Sequence, residues 1–413
     1  MLSMLSPRLR LPFVIANTES EFDAAVGCKH VVSGLFSGIG GLELGLSRSG
    51  HEAVLLCEND PSAMNVLRTH FSHVPLHDDI ATLEAIPDST SLIVAGFPCQ
   101  DLSQAGMTRG ITGTRSGLID EVFRLIKLHR TRSVLLENVP FMLQLSRGVA
   151  MSTIASAFEN LGYVWAYRVV DTRAFGLPQR RRRVYFFASR VDDPRAILFA
   201  DEVAEVTESA SDDQRVARGF YWTEGLRGLG WAVDAIPTLK GGSSIGIPSP
   251  PAILLTDGRV VTPDIRDAER LQGFRADWTK PAEEVGRSSL RWKLIGNAVS
   301  VCVAEWLGRR LAKPGMPLNF EALPLRENAQ WPTAAWNVGT GRKAVIASEW
   351  PVQRPYCSLE GFLLYPGAAL SAKATRGFLS RAERAKLRFP PNFLEALRRH
   401  LARFDETLDC APG

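Results

Sequence analysis

The chain has 413 residues, of which 45% are hydrophobic and 22% are charged, the proportions of an ordinary soluble globular protein. This length is enough for two or three domains with cores of their own, and the net charge of +4 is too small to identify a nucleic-acid partner by itself. No apolar run approaches the roughly 18 residues of a membrane span, so we expect a cytoplasmic protein that does not contact a membrane.

The cysteines are far apart in the sequence, at positions 28, 57, 99, 302, 357 and 410. No two of them have the short spacing of a structural zinc site or of a small disulfide framework. The pattern is typical of a reducing compartment, and we predict neither a metal site nor disulfides.

After a loosely ordered lead-in over residues 1–25, short apolar runs alternate with helical segments such as Leu118–Arg130. This alternation predicts a doubly wound α/β sheet, in which ligands gather at the carboxyl ends of the strands. The predicted strands are His30–Phe36, Ala53–Cys57, a run ending near His77, Ser91–Ala95, Ser133–Leu136, Tyr163–Val170 and Arg183–Ser189.

The first three predicted strands end in groups that suit a nucleoside. A Gly-rich turn, Ser37–Gly41, follows the first strand, although a turn of this kind alone fits simple packing equally well. Glu58 could accept hydrogen bonds from ribose hydroxyls, and Asp79 could accept one from an adenine amino group. The sequence has no Gly-Lys-Ser/Thr phosphate loop, which disfavours a nucleoside triphosphate.

The fourth strand leads directly into Phe97-Pro98-Cys99-Gln100 and then into a polar, Gly-rich loop that ends near Gly117. A free cysteine taken alone is more often an inert buried thiol. A thiol held at a strand end beneath a loop that can close over it is, however, well placed to attack a substrate.

Polar groups at two further strand ends have both a structural and a functional interpretation. Glu137 could be a solvated strand-end carboxylate, or it could polarise a ring nitrogen near a thiolate. In the run Arg180–Arg183, alternation along a strand puts Arg181 and Arg183 on one face and the other two on the opposite face. A solvated edge is the simpler interpretation, but the apolar run that follows favours one inward face suited to carbonyl or phosphate oxygens.

The amino-acid composition changes near residue 190. The sequence is first acidic and Ser-rich, and then rich in Gly, Trp and Pro over residues 219–251. Helical sequence returns at Asp264–Leu271 and again after Ser300, and a basic helix is predicted over Asn392–Phe404. A solvated face is the simpler interpretation of that basic helix, with phosphate contact as the alternative.

Taken together, the ordered motifs resemble the DNA (cytosine-5) methyltransferase family over about residues 30–312. The motifs that carry the resemblance are Leu35–Gly41, Glu58, Asp79–Ile80, Gly96–Gln100, Arg115–Leu118, Glu137–Val139, Gln179–Arg183, Arg270–Phe274 and Gly296–Val299. Two positions depart from the family's pattern: Gly34 stands where Asp is usual, which affects one polar contact near the cofactor, and Ser300 stands where Pro is common.

The resemblance implies a Rossmann-like fold that uses S-adenosylmethionine and no metal. It implies that Cys99 attacks carbon 6 of cytosine, that Glu137 holds the N3 and amino edge, that Arg183 binds O2 and that Arg181 supports the site and the covalent step. The cofactor residues that it implies are Phe36, Gly38, Ile39, Gly40, Gly41, Glu58, Asn59, Asp79, Ile80, Pro98, Leu118 and Asn297.

The resemblance also implies a double-stranded DNA substrate from which the target base is flipped. The DNA-contacting residues predicted on this basis are Gln100, Ser103, Arg109, Arg227 and Lys240. The predicted domains are a catalytic and cofactor-binding domain (residues 26–190 plus 288–312), a smaller target-recognition domain (191–287) and a C-terminal extension of unknown role (313–413). We expect a monomeric, nucleoid-associated bacterial enzyme that protects host DNA from a partner restriction endonuclease.

Three other interpretations remain open at this stage. A transfer-RNA cytosine methyltransferase would share the motifs, although the variable region before Arg270 favours a DNA-reading module. A catalytically silent DNA-binding relative is disfavoured by the intact Cys99, Glu137 and Arg183. A nicotinamide oxidoreductase would explain the Gly-rich turn but not the Pro-Cys-Gln motif.

Overall fold

The computed structural model describes residues 28–97, 117–204, 216–226, 228–242, 249–326, 329–390 and 392–409. The strands in this part of the chain are β1 (Val31–Leu35), β2 (Glu52–Cys57), β3 (Leu76–His77), β4 (Leu92–Ala95), β5 (Ser133–Asn138), β6 (Val164–Asp171), β7 (Gln179–Arg180), β8 (Arg182–Ser189), β9 (Arg218–Phe220), β10 (Trp231–Val233), β11 (Ile236–Pro237), β12 (Ala252–Leu254), β13 (Val260–Thr262), β14 (Ala322–Pro324), β15 (Ala334–Asn337), β16 (Lys343–Val345) and β17 (Ala368–Ala369).

The α-helices of the described residues are α1 (Gly41–Ser47), α2 (Pro61–His70), α3 (Leu118–His129), α4 (Val149–Asn160), α5 (Arg195–Leu198), α6 (Ile265–Leu271), α7 (Leu290–Asn297), α8 (Val301–Ala312), α9 (Leu359–Phe362), α10 (Ala372–Arg384) and α11 (Phe393–Asp409). Short 3₁₀ helices cover Pro140–Leu143, Leu145–Gly148, Thr172–Phe175 and Lys280–Glu284. None of these helices is long and apolar enough to cross a membrane.

A ten-stranded sheet in the order β14-β16-β15-β6-β8-β5-β4-β1-β2-β3 forms the centre of the molecule. Five strands that are neighbours in this sheet, β5, β4, β1, β2 and β3, are parallel. By contrast, β8 pairs antiparallel with both β5 and β6. The predicted doubly wound α/β sheet is therefore confirmed, and the order of its parallel strands brings the carboxyl ends of β2, β1, β4 and β5 side by side.

Helices cover both faces of this sheet because its central strands are apolar on both sides. All four residues of β4 are buried; Ile93 and Ala95 join the core under α3 and α4, and Leu92 and Val94 join the core under α1 and α8. This alternation follows from the two-residue period of a strand. The central strands are consequently fixed by packing on two sides, which holds the groups at their ends in place.

A five-stranded sheet, β10-β9-β12-β13-β17, forms a second unit of structure. One of its faces packs on α10 and α11 through a cluster that contains Phe220, Phe378 and Phe393. Its last strand, β17, and both helices come from the C-terminal 100 or so residues of the chain. Residues after 312 therefore contribute strands to both sheets, because β14, β15 and β16 extend the large sheet beyond β6.

The predicted strands of the first 190 residues are confirmed to within two residues at either end. Two helices differ from the predictions: α7 includes Gly296 and Asn297, which were predicted only to precede a helix, and α11 continues to Asp409. The predicted lead-in, residues 1–25, lies outside the described residues. The proposed domain boundaries remain a prediction.

Candidate active site

The Gly-rich turn after β1 meets the acidic end of β2, as the sequence predicts. The amide of Gly38 donates to Oε2 of Glu58 at 2.8 Å, and the amide of Ser37 donates to the carbonyl oxygen of Cys57 at 3.0 Å. The second oxygen of Glu58 accepts from the amides of Asn59 at 3.0 Å and Asp60 at 2.9 Å. The carboxylate is thus held in one orientation by three backbone donors.

The polar groups at this junction suit a nucleoside. A side chain at Gly38, whose φ is +56°, would meet no other atom within 4 Å, so the turn faces open space there. Glu58 is half-buried and Asn59 is exposed beside it. A carboxylate at the edge of an open Gly-rich turn can accept ribose hydroxyls, and the residues present therefore fit a nucleoside cofactor.

The other predicted cofactor residues are either half-buried or buried in the core. Phe36 and Asp79 are half-buried, and a side-chain oxygen of Asp79 accepts from the amide of Ala81 at 2.9 Å. Leu118 is half-buried at the start of α3, whereas Ile80 is buried in the core.

Three residues of the turn itself serve packing. Ile39 is buried, and its carbonyl oxygen accepts from the indole nitrogen of Trp278 at 2.9 Å. A Cβ at Gly40 would lie 2.4 Å from the ring of Phe71, and one at Gly41 would lie 2.5 Å from the carbonyl oxygen of Val299. These two glycines are therefore required for close packing of α1.

Glu137 and Arg183 lie together at the carboxyl end of β5, where a base-binding pair was predicted. Nε of Arg183 is 3.1 Å from Oε1 of Glu137, and both side chains are about nine-tenths buried, with 11% and 9% exposed. Burial raises the pKa of Glu137 above its ordinary value, and the charges of Arg183 and Arg181 only partly oppose this. The pair is therefore a carboxyl group that can take up a proton beside a fixed guanidinium.

This pair lies next to the segment that precedes Cys99. A Cβ at Gly96 would be 3.5 Å from Oε2 of Glu137, and the side-chain amide of Asn138 donates to the carbonyl oxygen of Phe97 at 3.0 Å. The end of β4 is thus tied to the end of β5. The predicted site residues Pro98, Cys99, Gln100, Ser103 and Arg109 lie outside the described residues.

Arg181 is buried, and its guanidinium hydrogen-bonds backbone carbonyl oxygens close enough to Glu137 for the two charges to interact. Its guanidinium donates to the carbonyl oxygens of Leu239 at 3.0 Å, Gly296 at 3.3 Å and Ala298 at 2.5 Å. Burial and the charge of Arg183 lower the pKa of Arg181 to about 9. Arg181 therefore joins the stretch after β11 to the end of α7.

Asn297 and Lys240 lie at this same junction. Asn297 is exposed, and a Cβ at Gly241 would be 2.1 Å from its Oδ1. The ammonium of Lys240 is 3.2 Å from Oε1 of Glu224 and 3.8 Å from the centre of the Tyr221 ring. The other predicted DNA contact of this region, Arg227, lies outside the described residues.

Sequence reasoning assigned no role to three polar side chains that the structure places here. The side-chain amide of Gln179 donates to the carbonyl oxygen of Leu271 at 2.8 Å, its Oε1 accepts from the amide of Leu239 at 3.0 Å, and Gln272 donates to Ile295 at 2.9 Å. Both glutamines stand within recognised motifs, which was the available signal. The third, Glu43, is buried at the base of the Gly-rich turn, and its position in the sequence gives no comparable signal.

The chain is similar to one protein family and to several known proteins. The family model for C-5 cytosine-specific DNA methylase matches residues 31–219. The chain is 47% identical over 381 residues to Type II methyltransferase M2.BsuMI of Bacillus subtilis, which covers 89% of this chain and 97% of the relative. It is 31% identical to Type II methyltransferase M1.ScrFI of Lactococcus lactis subsp. cremoris, over 72% of this chain and 80% of that one.

The chain is also similar to a solved structure, that of the Entamoeba histolytica methyltransferase EhMeth. Its TM-score is 0.47 at 14% identity, covering 69% of this chain and 98% of that chain.

Proposed function

Because the chain belongs to the C-5 cytosine-specific DNA methylase family, we propose that it methylates carbon 5 of a cytosine within one specific double-stranded DNA sequence by covalent catalysis. It is a DNA (cytosine-5)-methyltransferase, and the proposal concerns the reaction path and the residues that carry it out. The observation that supports it most is the buried Glu137–Arg183 pair beside Gly96, which stands shortly before Cys99 in the chain.

The proposed path begins with a thiolate because carbon 5 of cytosine is a weak nucleophile. We assign the thiolate to Cys99, which follows β4: formation of a bond from its sulfur to carbon 6 makes carbon 5 enamine-like. Bound S-adenosylmethionine would supply the electrophilic methyl group to carbon 5 and leave as S-adenosylhomocysteine. Loss of the carbon 5 proton and breaking of the sulfur–carbon bond then release 5-methylcytosine and the free thiolate.

Glu137 and Arg183 would hold the ring during this addition. A carboxyl group whose pKa is raised can share a proton with N3 of the base, which favours addition at carbon 6. Arg183 would donate to O2, where negative charge develops. Arg181, with its guanidinium occupied by backbone carbonyls, would act by fixing the backbone around the site.

The target base must leave the duplex to reach this pair, since its ring edge and carbon 6 are enclosed by neighbouring bases. Gly241 lies against Asn297, and the carbonyl oxygen of Leu239 accepts from Arg181, so a segment of the proposed target-recognition domain lies against the catalytic motifs. We propose that residues of the 191–287 segment read base edges while the catalytic motifs hold the extruded cytosine.

The biological role we propose is protection of host DNA from a restriction endonuclease with the same target. It is supported by the relatives, which are named type II methyltransferases. Methylation of the target would then prevent cleavage by that endonuclease.

The test is to incubate the purified protein with S-adenosylmethionine labelled in its methyl group and with either double-stranded DNA or transfer RNA. We expect label in DNA only, located at one recurring sequence by bisulfite sequencing of DNA from expressing cells. Label in transfer RNA alone would favour the RNA methyltransferase alternative, and binding of DNA without any transfer would indicate a silent relative.

A further inference from the structure

Glu43 is a buried acid whose carboxylate lacks a partner in the described part of the chain. It stands in the first turn of α1, its residue is 2% exposed, and neither Oε1 nor Oε2 makes a hydrogen bond there. The hydroxyl oxygen of Ser37, in the Gly-rich turn, is likewise buried without a partner. Burying polar oxygens in this state is costly, and such groups are rare unless a ligand satisfies them.

The carboxylate of Glu43 occupies the space beside the carboxyl end of β1. A Cβ at Gly34 would lie 2.1 Å from Oε1 of Glu43 and 2.7 Å from the hydroxyl oxygen of Ser37. With Glu43 in this place, a side chain at position 34 would have to displace the carboxylate, and position 34 is where the resemblance leads us to expect Asp. The strand end keeps an acidic group, but the acid comes from the helix that follows.

A structural role as a helix cap does not account for Glu43. In a capping box, the acid at the third helical position accepts from the backbone amide of the N-cap residue. Here that amide, of Gly40, donates to the carbonyl oxygen of Ser37 at 2.8 Å. The carboxylate is thus left for another donor.

The order of the strands indicates which part of a cofactor would lie at this point. β1 stands between β2, whose Glu58 suits the ribose, and β4, which leads to Cys99. A methyl donor that is held at β2 and delivers its methyl group toward Cys99 must pass over the end of β1. Its amino-acid part would therefore lie near Glu43, and this step rests on the proposed function.

We propose that Glu43, together with Ser37, binds the α-ammonium group of S-adenosylmethionine. An ammonium has three N–H donors, and the site offers three buried oxygens without partners, whereas the sulfonium has no hydrogen to donate. Burial raises the pKa of Glu43 to about 7, and the acid's own backbone amide and the nearby Ser37 hydroxyl oppose this only in part. A bound cation would restore the charged form of the acid.

The test measures calorimetric affinities of Glu43→Gln for three compounds. S-Adenosylmethionine carries two cationic groups, the α-ammonium and the sulfonium. S-Adenosylhomocysteine carries only the ammonium, and methylthioadenosine carries neither group. We expect affinity for the first two to fall by about tenfold or more, the scale of a lost charge-assisted hydrogen bond, and affinity for methylthioadenosine to change by less than about twofold. The matched control is Glu52→Gln, the same change at the exposed start of β2, which should alter none of the three.

Each other outcome has a definite meaning. Unchanged affinities in Glu43→Gln, equal losses for all three compounds, or a loss for S-adenosylmethionine alone would each overturn the ammonium assignment. Failure of the wild-type protein to bind any of the three would instead contradict the proposed function.

A second variant moves the acid from the helix to the strand. Gly34→Asp alone should bind S-adenosylmethionine poorly, because its side chain collides with Glu43. Combined with Glu43→Ala, it places one carboxylate in the same space, and we expect affinity to recover to within about threefold of wild type, a coupling between contacting residues. No recovery in a folded double variant, judged by its affinity for methylthioadenosine, would contradict the proposal.

Discussion

The parallel half of the large sheet and the C-terminal 313–409 segment contribute differently to the same structure. Every strand from β1 to β5 ends in or near a recognisable polar motif, and these ends converge on the candidate active site. The C-terminal segment carries no motif, yet its strands extend the large sheet and close the small one.

The difference shows that recognisable sequence motifs occur where polar groups at strand ends form the candidate site. A segment can pack just as extensively into the fold without containing any such motif. The two regions should therefore fail in opposite ways when altered. Changes at the strand ends should remove activity or cofactor binding and leave the fold, and changes in the C-terminal segment should remove stability and leave the chemistry.

The largest effect is expected from Cys99→Ala. Methyl transfer to DNA should be abolished, because the proposed path has no other nucleophile, while S-adenosylmethionine affinity and the unfolding temperature should stay close to wild type. Methyl incorporation, calorimetry and thermal unfolding measure the three quantities. Cys28→Ala, at an exposed cysteine, is the control, and substantial turnover by Cys99→Ala would refute the nucleophile assignment.

The opposite behaviour is expected from Phe378→Ala in α10. Phe378 is fully buried against Phe220 and Phe393, so its removal should lower the free energy of unfolding by about 3–5 kcal/mol. Denaturant titration measures this loss. S-Adenosylmethionine affinity below the unfolding transition should not change, and the control Leu364→Ala, at a residue 49% exposed, should cost far less. If Phe378→Ala lost cofactor affinity without losing stability, the proposed division of roles between the strand ends and the C-terminal segment would be contradicted.

A smaller effect on stability is expected from Glu43→Gln in the absence of cofactor. The folded-state pKa of Glu43, about 7, lies above the unfolded value of 4.5, so the folded state binds more protons in this interval. The free energy of unfolding of the wild-type protein should therefore fall by roughly 2–3 kcal/mol as the pH rises from about 4.5 to 7. The variant has no titrating acid at this position, so its free energy of unfolding should not show this fall. Unfolding titrations between these pH values test this, and parallel profiles for the two proteins would refute it.

Glu58→Ala should weaken S-adenosylmethionine binding by roughly 1–3 kcal/mol, through loss of a charged acceptor. The carboxylate also orders the amides of Gly38 and Asn59, so Glu58→Gln serves as the comparison that keeps much of this geometry. Calorimetry that shows unchanged affinity in Glu58→Ala would rule out a ribose contact.

The smallest effect on rate is expected from exchange of target recognition. Replacing residues 191–258 with the equivalent segment of a relative that methylates another sequence should change the target and leave turnover similar. Leu239 gives Arg181 only its backbone carbonyl, which any residue at that position in the exchanged segment would supply. Single base-reading substitutions there should cost roughly 1–3 kcal/mol at one base pair. Bisulfite sequencing identifies the target, and an active chimera with the original target would show that recognition lies elsewhere.

The fold and part of the candidate site could be predicted because they depend on local patterns. The apolar runs of β1, β4 and β8 predict strands, and sheet topology then brings Glu58 to Gly38 and Glu137 to Arg183. Those two pairings follow from the convergence of strand ends, although the distances themselves required the structure.

The remaining features depend on contacts that are distant in the sequence. Glu43 differs from an ordinary acid of a helical first turn only through its proximity to Gly34, which the helical pattern does not reveal. Strands of two to four residues such as β15 and β17 are too short for a periodic pattern. β15 pairs locally with β16, but its other partner, β6, and the partner of β17, β13, lie more than 100 residues away in the chain.

The strands added by the C-terminal segment also bear on aggregation. β6 is eight residues long and almost wholly buried, and without β15 it would be the edge of the large sheet, with unpaired backbone groups able to recruit another chain. With β14–β16 in place, one edge strand ends at Pro324 and the opposite edge strand, β3, has two residues. Short edges and a proline disfavour further strand pairing. The segment without motifs would thus keep the enzyme dispersed at cellular concentrations, a contribution that sedimentation would detect and a methylation assay would miss.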